Sequence, residues 1–278
     1  MKKLLLILIV CCSLKGFGQD WNEFKDSIQK IIQGDYGKKI SGKGVIDSLQ
    51  LKQGKWTFFI SNNIEKKHSE GTFLNDKKFG RWETFYLNTS NRVKTKEVYK
   101  GDSLFHLTYY SEVLVKKIEL ISEVGLSKTS SKEIEKICYH SQSIIFMLMD
   151  KGYSPNDAKH KMIDFISSLL LENKDSATLK FWNYDKLLCD IRTFNNGIMS
   201  QEVIDYYSKN PSKYSYFING IKTEEKQLIE TNPNHFQITK FFSNGKRSSQ
   251  TTFKNGQPIG NHKEWDESGK LTLKQRYK

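Results

Sequence analysis

The chain has 278 residues, with 44 Lys and Arg against 31 Asp and Glu for a formal net charge of +13. A hydrophobic content of 37% with 13% aromatics excludes wholesale disorder. The dispersed basic residues form no finger, helix-turn-helix or aromatic RNP pattern, so nucleic acid is not the expected partner.

Met1 to Gln19 reads as a cleavable export signal. Lys2 and Lys3 make a positive start, Leu4 to Cys12 an apolar stretch too short to span a bilayer, and Gly16 and Gly18 the small residues a signal peptidase needs. Cleavage is expected before Gln19, leaving 1–18 as the signal peptide and lowering the formal charge to +10 as Lys2, Lys3 and Lys15 leave. Acylation of Cys11 or Cys12 is the rival reading, although Val10 and Cys11 are poor substitutes for the small residue that lipoprotein processing prefers. No later apolar run is long enough for a transmembrane helix, and the expected location is periplasmic or extracellular. Cys138 and Cys189 would remain, too few for a disulfide-dense scaffold or a Cys-rich zinc site. An oxidising compartment permits a bridge between them, and two buried thiols are the alternative.

Trp21 to Ile32 has the spacing of an amphipathic helix. A repeat of about 26 residues follows. Gly54-Lys55-Trp56-Thr57-Phe58-Phe59 recurs as Gly80-Arg81-Trp82-Glu83-Thr84-Phe85-Tyr86, and Glu70-Gly71-Thr72-Phe73 is echoed by Lys96-Glu97-Val98-Tyr99. A third copy matches Thr72 to Gly80 with Thr252 to Gly260 position for position. Phe241 to Lys246 and Trp265 to Lys270 add aromatic-plus-turn elements. Each unit predicts strand, turn, strand, with Asn-Gly and Ser-Gly turns and aromatics on alternate positions. One hairpin cannot bury such a face alone, so units are expected to stack into a twisted sheet.

These Gly-x-Trp-x-x-(Phe/Tyr), Asn-Gly-Lys and Glu-Gly-x-(Phe/Tyr) elements resemble the MORN-type repeat, in the divergent form of bacterial proteins labelled YwqK-family toxin–antitoxin components. The resemblance covers about residues 52 to 110 and 238 to 278. It implies a β-hairpin array used as an interaction surface, and it supplies no catalytic residues.

Between the repeat blocks the apolar period changes from two to 3.6. Ser130-Ser131-Lys132-Glu133 has the form of a capping box before Ile134, Ile137, Cys138, Ile145 and Leu148, and Gly152 ends the run. Ser154-Pro155 opens a second helix carrying Ala158, Met162, Phe165, Ile166, Leu169 and Leu170. A third is expected over about Ser176 to Phe194 and a short fourth after Ser200, after which Tyr214 to Ile229 and His235 to Phe242 alternate as strands. The expected organisation is an N-terminal helix and repeats over 19–120, a helical insertion over 121–212 and C-terminal repeats over 213–278. The fold class is α+β: a twisted antiparallel sheet of hairpin repeats with an inserted helical subdomain. One sheet is favoured over two.

Chemistry-bearing constellations are sparse. No metalloprotease, hydrolase, P-loop or dinucleotide motif is present. Cys138 and His140 lie two apart on a helix and point about 200° from each other, which excludes a direct nucleophile–base pair. His160 and Asp164 share a helical face, but two ligands do not make a metal site. No catalytic residue, cofactor or metal is assigned. Trp56, Phe58, Trp82, Tyr86 and Trp265 are expected on the buried side of the sheet, leaving the opposite face, with Lys55, Phe59, Arg81, Glu83 and Phe85, as the contact face. The expected function is non-catalytic recognition of an envelope protein or anionic surface polymer; an envelope enzyme sited between helices and sheet, or a lipid-associated protein, are the alternatives.

Overall fold

The computed structural model describes residues 39–62, 64–86, 92–110, 117–183 and 187–278. The export signal and the expected helix over 21–32 lie outside them. Seven strands come first: β1 (Lys39–Ile46), β2 (Lys52–Asn62), β3 (Ile64–Leu74), β4 (Lys77–Phe85), β5 (Val93–Lys100), β6 (Ser103–Tyr109) and β7 (Lys117–Ile121). Two helices follow, α1 (Lys128–Asp150) and α2 (Pro155–Glu172). Nine more strands complete the chain: β8 (Ala177–Trp182), β9 (Leu188–Asn195), β10 (Ile198–Tyr207), β11 (Asn210–Ile218), β12 (Ile221–Ile229), β13 (Asn232–Phe241), β14 (Arg247–Lys254), β15 (Gln257–Trp265) and β16 (Leu271–Tyr277).

All sixteen strands form one antiparallel sheet in chain order. The two repeat blocks therefore share a sheet, and the described chain is predominantly β rather than a balanced α+β. The helix pair is inserted between β7 and β8, which pair with each other. Two expectations are corrected. The stretch read as a third helix over 176–194 is β8 and β9, and the fourth helix after Ser200 is β10. The helical segment thus ends at Glu172 rather than extending to 212. Leu179, Trp182, Leu187 and Ile191 fit a helical period, but Ala177, Leu179 and Phe181 are buried in alternation with half-buried neighbours, and Leu179 and Phe181 give Leu120 and Ile118 of β7 an apolar neighbour.

α1 begins one turn before the expected capping box. Its N-cap is Ser127, whose hydroxyl accepts from the Ser130 amide at 3.2 Å, while the Asp175 carboxylate takes the Ser127 amide at 2.7 Å. Ser131 Oγ donates to the Ser127 carbonyl at 2.8 Å and accepts the Leu104 amide at 3.0 Å, tying the helix to β6.

The core lies between the helices and the middle of the sheet. Ile134, Ile137, Ile144 and Leu148 of α1 and Met162, Ile163, Ile166 and Leu170 of α2 pack on Leu104, Leu107, Ile118, Leu120, Leu179 and Phe181. One row of directly opposed residues crosses this region: Trp82, Glu97, Leu107, Leu120, Leu179, Arg192 and Gln201. Its apolar centre is flanked by a buried acid and a buried base, the base paired with a helix carboxylate and the acid with Lys78 of β4. Arg192 Nη1 meets Asp164 of α2 at 2.7 Å and Ser167 at 3.0 Å, and Glu97 faces α1.

Candidate functional site

Two regions gather chemistry, one on each face of the sheet. Residues directly opposed across antiparallel strands share a face, as do alternate residues along a strand. Register therefore places Lys43, Thr57, Glu70, Glu83 and Lys96 in one row across β1–β5. Lys55, Phe59, Lys67 and Arg81 lie on the same face. The opposite face carries Trp82 and Glu97 and receives the helices.

The five expected contact residues thus lie on a common face, at different depths. Lys55 and Arg81 are exposed, Phe59 and Glu83 half-buried, and Phe85 is only 5% exposed. Phe85 is floor rather than contact: Lys67 Nζ sits 4.6 Å above its ring, as Lys43 Nζ sits 5.0 Å above Phe59. Glu70 and Glu83 oppose each other directly, and basic side chains relieve the repulsion. Lys67 reaches Glu70 at 2.6 Å and Lys55 at 3.8 Å, and Lys96 reaches Glu83 at 3.7 Å. Lys43, Lys55, Lys67, Arg81 and Lys96 outnumber Glu70 and Glu83, so this row and its neighbours are basic. Farther along the same face, Tyr214, Tyr216, Phe236 and Phe253 are half-buried, and Lys226 Nζ lies 4.1 Å over Phe236.

On the helix face, a pocket of about 390 Å³ opens where α1 crosses β4 and β5. Phe58, Phe73 and Trp82 form its apolar wall, and Lys78, Lys94, Glu97 and Glu135 line its polar end with Thr84, Thr95, His68 and Ser69. Trp56, Trp82 and Tyr86 are buried as expected, and Phe58 and Trp265 are half-buried. Lys78 holds the centre. Its Nζ is 2.5 Å from Glu135 and 3.8 Å from Glu97, and lies 4.8 Å from the Trp82 ring and 4.7 Å from the Tyr99 ring. Burial pushes the Glu97 carboxyl above the ordinary range; Lys78 opposes the shift and Glu135 adds to it. Thr95 donates to Glu97 at 2.6 Å. Burial likewise pushes the Tyr99 hydroxyl well up, with Glu97 and Glu135 reinforcing it.

The remaining candidates fall elsewhere. Cys138 and Cys189 are two separate thiols rather than a bridge. Cys138 is buried in the helix core, and burial pushes its thiol up to about 12, a protonated and unreactive state. The side chains of His140 and His160 lie outside the described residues. Asp164 serves as the ion-pair partner of Arg192. No group of three or more His, Cys, Asp or Glu that could hold a metal occurs among the described residues. One chain of polar groups was not foreseen: Thr251 Oγ1 lies 2.7 Å from His262 Nδ1, and His262 Nε2 lies 3.0 Å from Glu264. No described helix is long and apolar enough to cross a membrane.

No family model matches the chain. A stretch of 65 residues is 37% identical to part of a CCA-adding enzyme from Ligilactobacillus salivarius, covering 23% of this chain and 16% of that enzyme. The chain therefore spans well under two thirds of the curated relative it matches, and the similarity is local.

Proposed function

We propose that this protein is an exported, non-catalytic binding protein that recognises an acidic partner, an envelope protein or an anionic surface polymer, through the sheet face turned away from the helices. The observation that carries this reading is the basic excess on β1–β5, where Lys43, Lys55, Lys67, Arg81 and Lys96 stand around Glu70 and Glu83 on one face. Ladder pairing fixes the backbone positions from which these side chains project, so only side-chain ordering remains to be done on association. Among the described residues Arg81 makes no ion pair, and Lys55 is 76% exposed with its nearest carboxylate at 3.8 Å, so both are available to an incoming anion. The export assignment rests on the pattern of Met1 to Gln19, and the resemblance to MORN-type hairpin arrays agrees with a surface role.

The test is co-sedimentation of the purified protein with envelope preparations from its own cells, using Lys55→Glu/Arg81→Glu beside the native chain. Both side chains are exposed, so folding should be unchanged. The charge-reversed variant is expected to bind about tenfold less at physiological salt, and native binding should weaken as salt screens the contact. Equal binding by both proteins would remove this face from the interaction.

A further inference from the structure

The pocket between α1 and the sheet is unconnected with the basic face, and its chemistry specifies a ligand of a different kind. We propose that it binds a single neutral, hydroxyl-rich ring, a pyranose sugar, seated on the half-buried Phe58 and Phe73, which pack against the buried Trp82, with its hydroxyls turned to Glu135 and Lys78.

Three observations carry the assignment. First, the volume of about 390 Å³ falls within the range of small-ligand pockets, and the walls divide into an apolar side and a polar end. Phe58 and Trp82 incline only 29° to each other at 6.3 Å between centroids, with Phe73 closing edge-on against Trp82 at 4.9 Å. Such a wall suits a flat ligand with an apolar face. A sugar ring presents that face through its C–H groups.

Second, the ionisable groups lining the polar end are two of each sign. Lys78 and Lys94 line it with Glu97 and Glu135, Lys78 reaching both carboxylates, while Lys136 at the rim is paired with Glu133 at 3.0 Å. A carboxylate or ammonium ligand would meet no uncompensated opposite charge there. Neutral hydroxyls, which donate and accept at once, can use both the ammoniums and the carboxylates.

Third, the polar groups are held in place without a ligand. Lys78 is fixed by two carboxylates and two rings, and Glu97 by Thr95, so little ordering remains to be done on binding. Glu135 is the member that reaches solvent, its side chain 42% exposed, and so it can meet the ligand first.

Titration of the purified full chain with the methyl glycosides of glucose, galactose, mannose and N-acetylglucosamine, followed by tryptophan fluorescence and calorimetry, tests this. Glucuronate and glucosamine serve as the charged counterparts. At least one neutral glycoside should bind with a dissociation constant on the order of 0.1–10 mM. Its charged counterpart should bind about tenfold more weakly; Glu135→Gln should weaken the neutral ligand about tenfold, roughly the loss of one charge-assisted hydrogen bond, and Phe58→Leu about tenfold through the lost ring face. Melting curves of both variants identify any that fail to fold, and the exposed Glu135 site keeps the test decisive if Phe58→Leu does not. No response to any neutral glycoside at about 50 mM overturns the proposal, as does tighter binding of a charged counterpart or binding indifferent to Glu135→Gln. Lys55→Glu/Arg81→Glu should leave sugar binding unchanged, so this proposal and the basic-face reading fail separately.

Discussion

At Gly71 and Gly44 the sheet has no room for a side chain. A Cβ on Gly71 would stand 2.1 Å from the Trp82 indole, and one on Gly44 2.3 Å from that of Trp56, because each indole lies flat on the neighbouring strand. Gly54 and Gly80 serve another purpose: nothing crowds them, but their φ of 66° belongs to the left-handed region that glycine enters without strain. The third repeat copy solves the indole problem differently. Thr251 and His262 occupy the positions held in the earlier copy by Gly71 and Trp82, and the register around them, with its bulge, is the same. The stacked indole is exchanged for an imidazole hydrogen-bonded to a hydroxyl at 2.7 Å, which accounts for the Thr251–His262–Glu264 chain structurally. Gly71→Thr alone is therefore expected to cost about 1–3 kcal/mol by overpacking, and Trp82→His about 3–5 kcal/mol by loss of buried volume. The double variant should fall short of their sum by about 1–3 kcal/mol in urea unfolding. Strict additivity would mean that the two positions do not exchange as a pair.

At the scale of elements, hairpin turns decided what could be read from the sequence. Asn196-Gly197, Asn219-Gly220 and Asn255-Gly256 all adopt positive φ at both positions, the primed turn that their residue types announce. The turns between β10 and β11 and between β12 and β13 reach the same geometry with Ser208-Lys209 and Glu230-Thr231, which announce nothing. The expected third helix rests on the coincidental helical spacing of Leu179, Trp182 and Ile191, and the expected fourth runs into Ser208-Lys209, a turn its residues do not announce. Site legibility divides in the same way. Lys55, Arg81 and Glu83 could be placed opposite the indoles because a strand alternates with period two. The pocket could not be foreseen, since Lys78 and Glu135 are 57 residues apart and meet only when α1 packs on β4. Positive φ at a β-branched residue is strained, so Thr231 at 56° stores energy in its turn. Replacing Glu230-Thr231 by Asn-Gly should raise stability by about 1–3 kcal/mol, read as a higher melting midpoint by circular dichroism. No gain would show that the loop is relaxed by contacts outside the turn.

Over the whole molecule, helix cover is uneven while hydrogen bonding is continuous, and this sets up a gradient of local stability. Leu107, Leu120 and Leu179 in the middle strands are 0–2% exposed under α1 and α2, whereas every residue of β16 except Tyr277 is exposed. Pairing register also turns the third repeat over: Trp82 faces the helices, while His262, followed strand by strand through the ladder, lies on the other face. The C-terminal hairpins therefore gain nothing from the helical layer, and Phe236 and Phe253, stacked at 5.5 Å, must supply their own apolar contact. Backbone amides open by local unfolding more readily where fewer apolar contacts must be broken. Hydrogen exchange read by mass spectrometry should accordingly rank the sheet, with β6 to β9 slowest and protection falling through β12 to β14 to its lowest in β16. The difference between the extremes should reach at least about a hundredfold, because β16 frays without breaking any buried contact while β7 and β8 cannot separate without opening the core. Uniform protection from β5 to β16 would instead mean that the sheet opens as a single unit, with stability carried along the ladder rather than delivered by the helices.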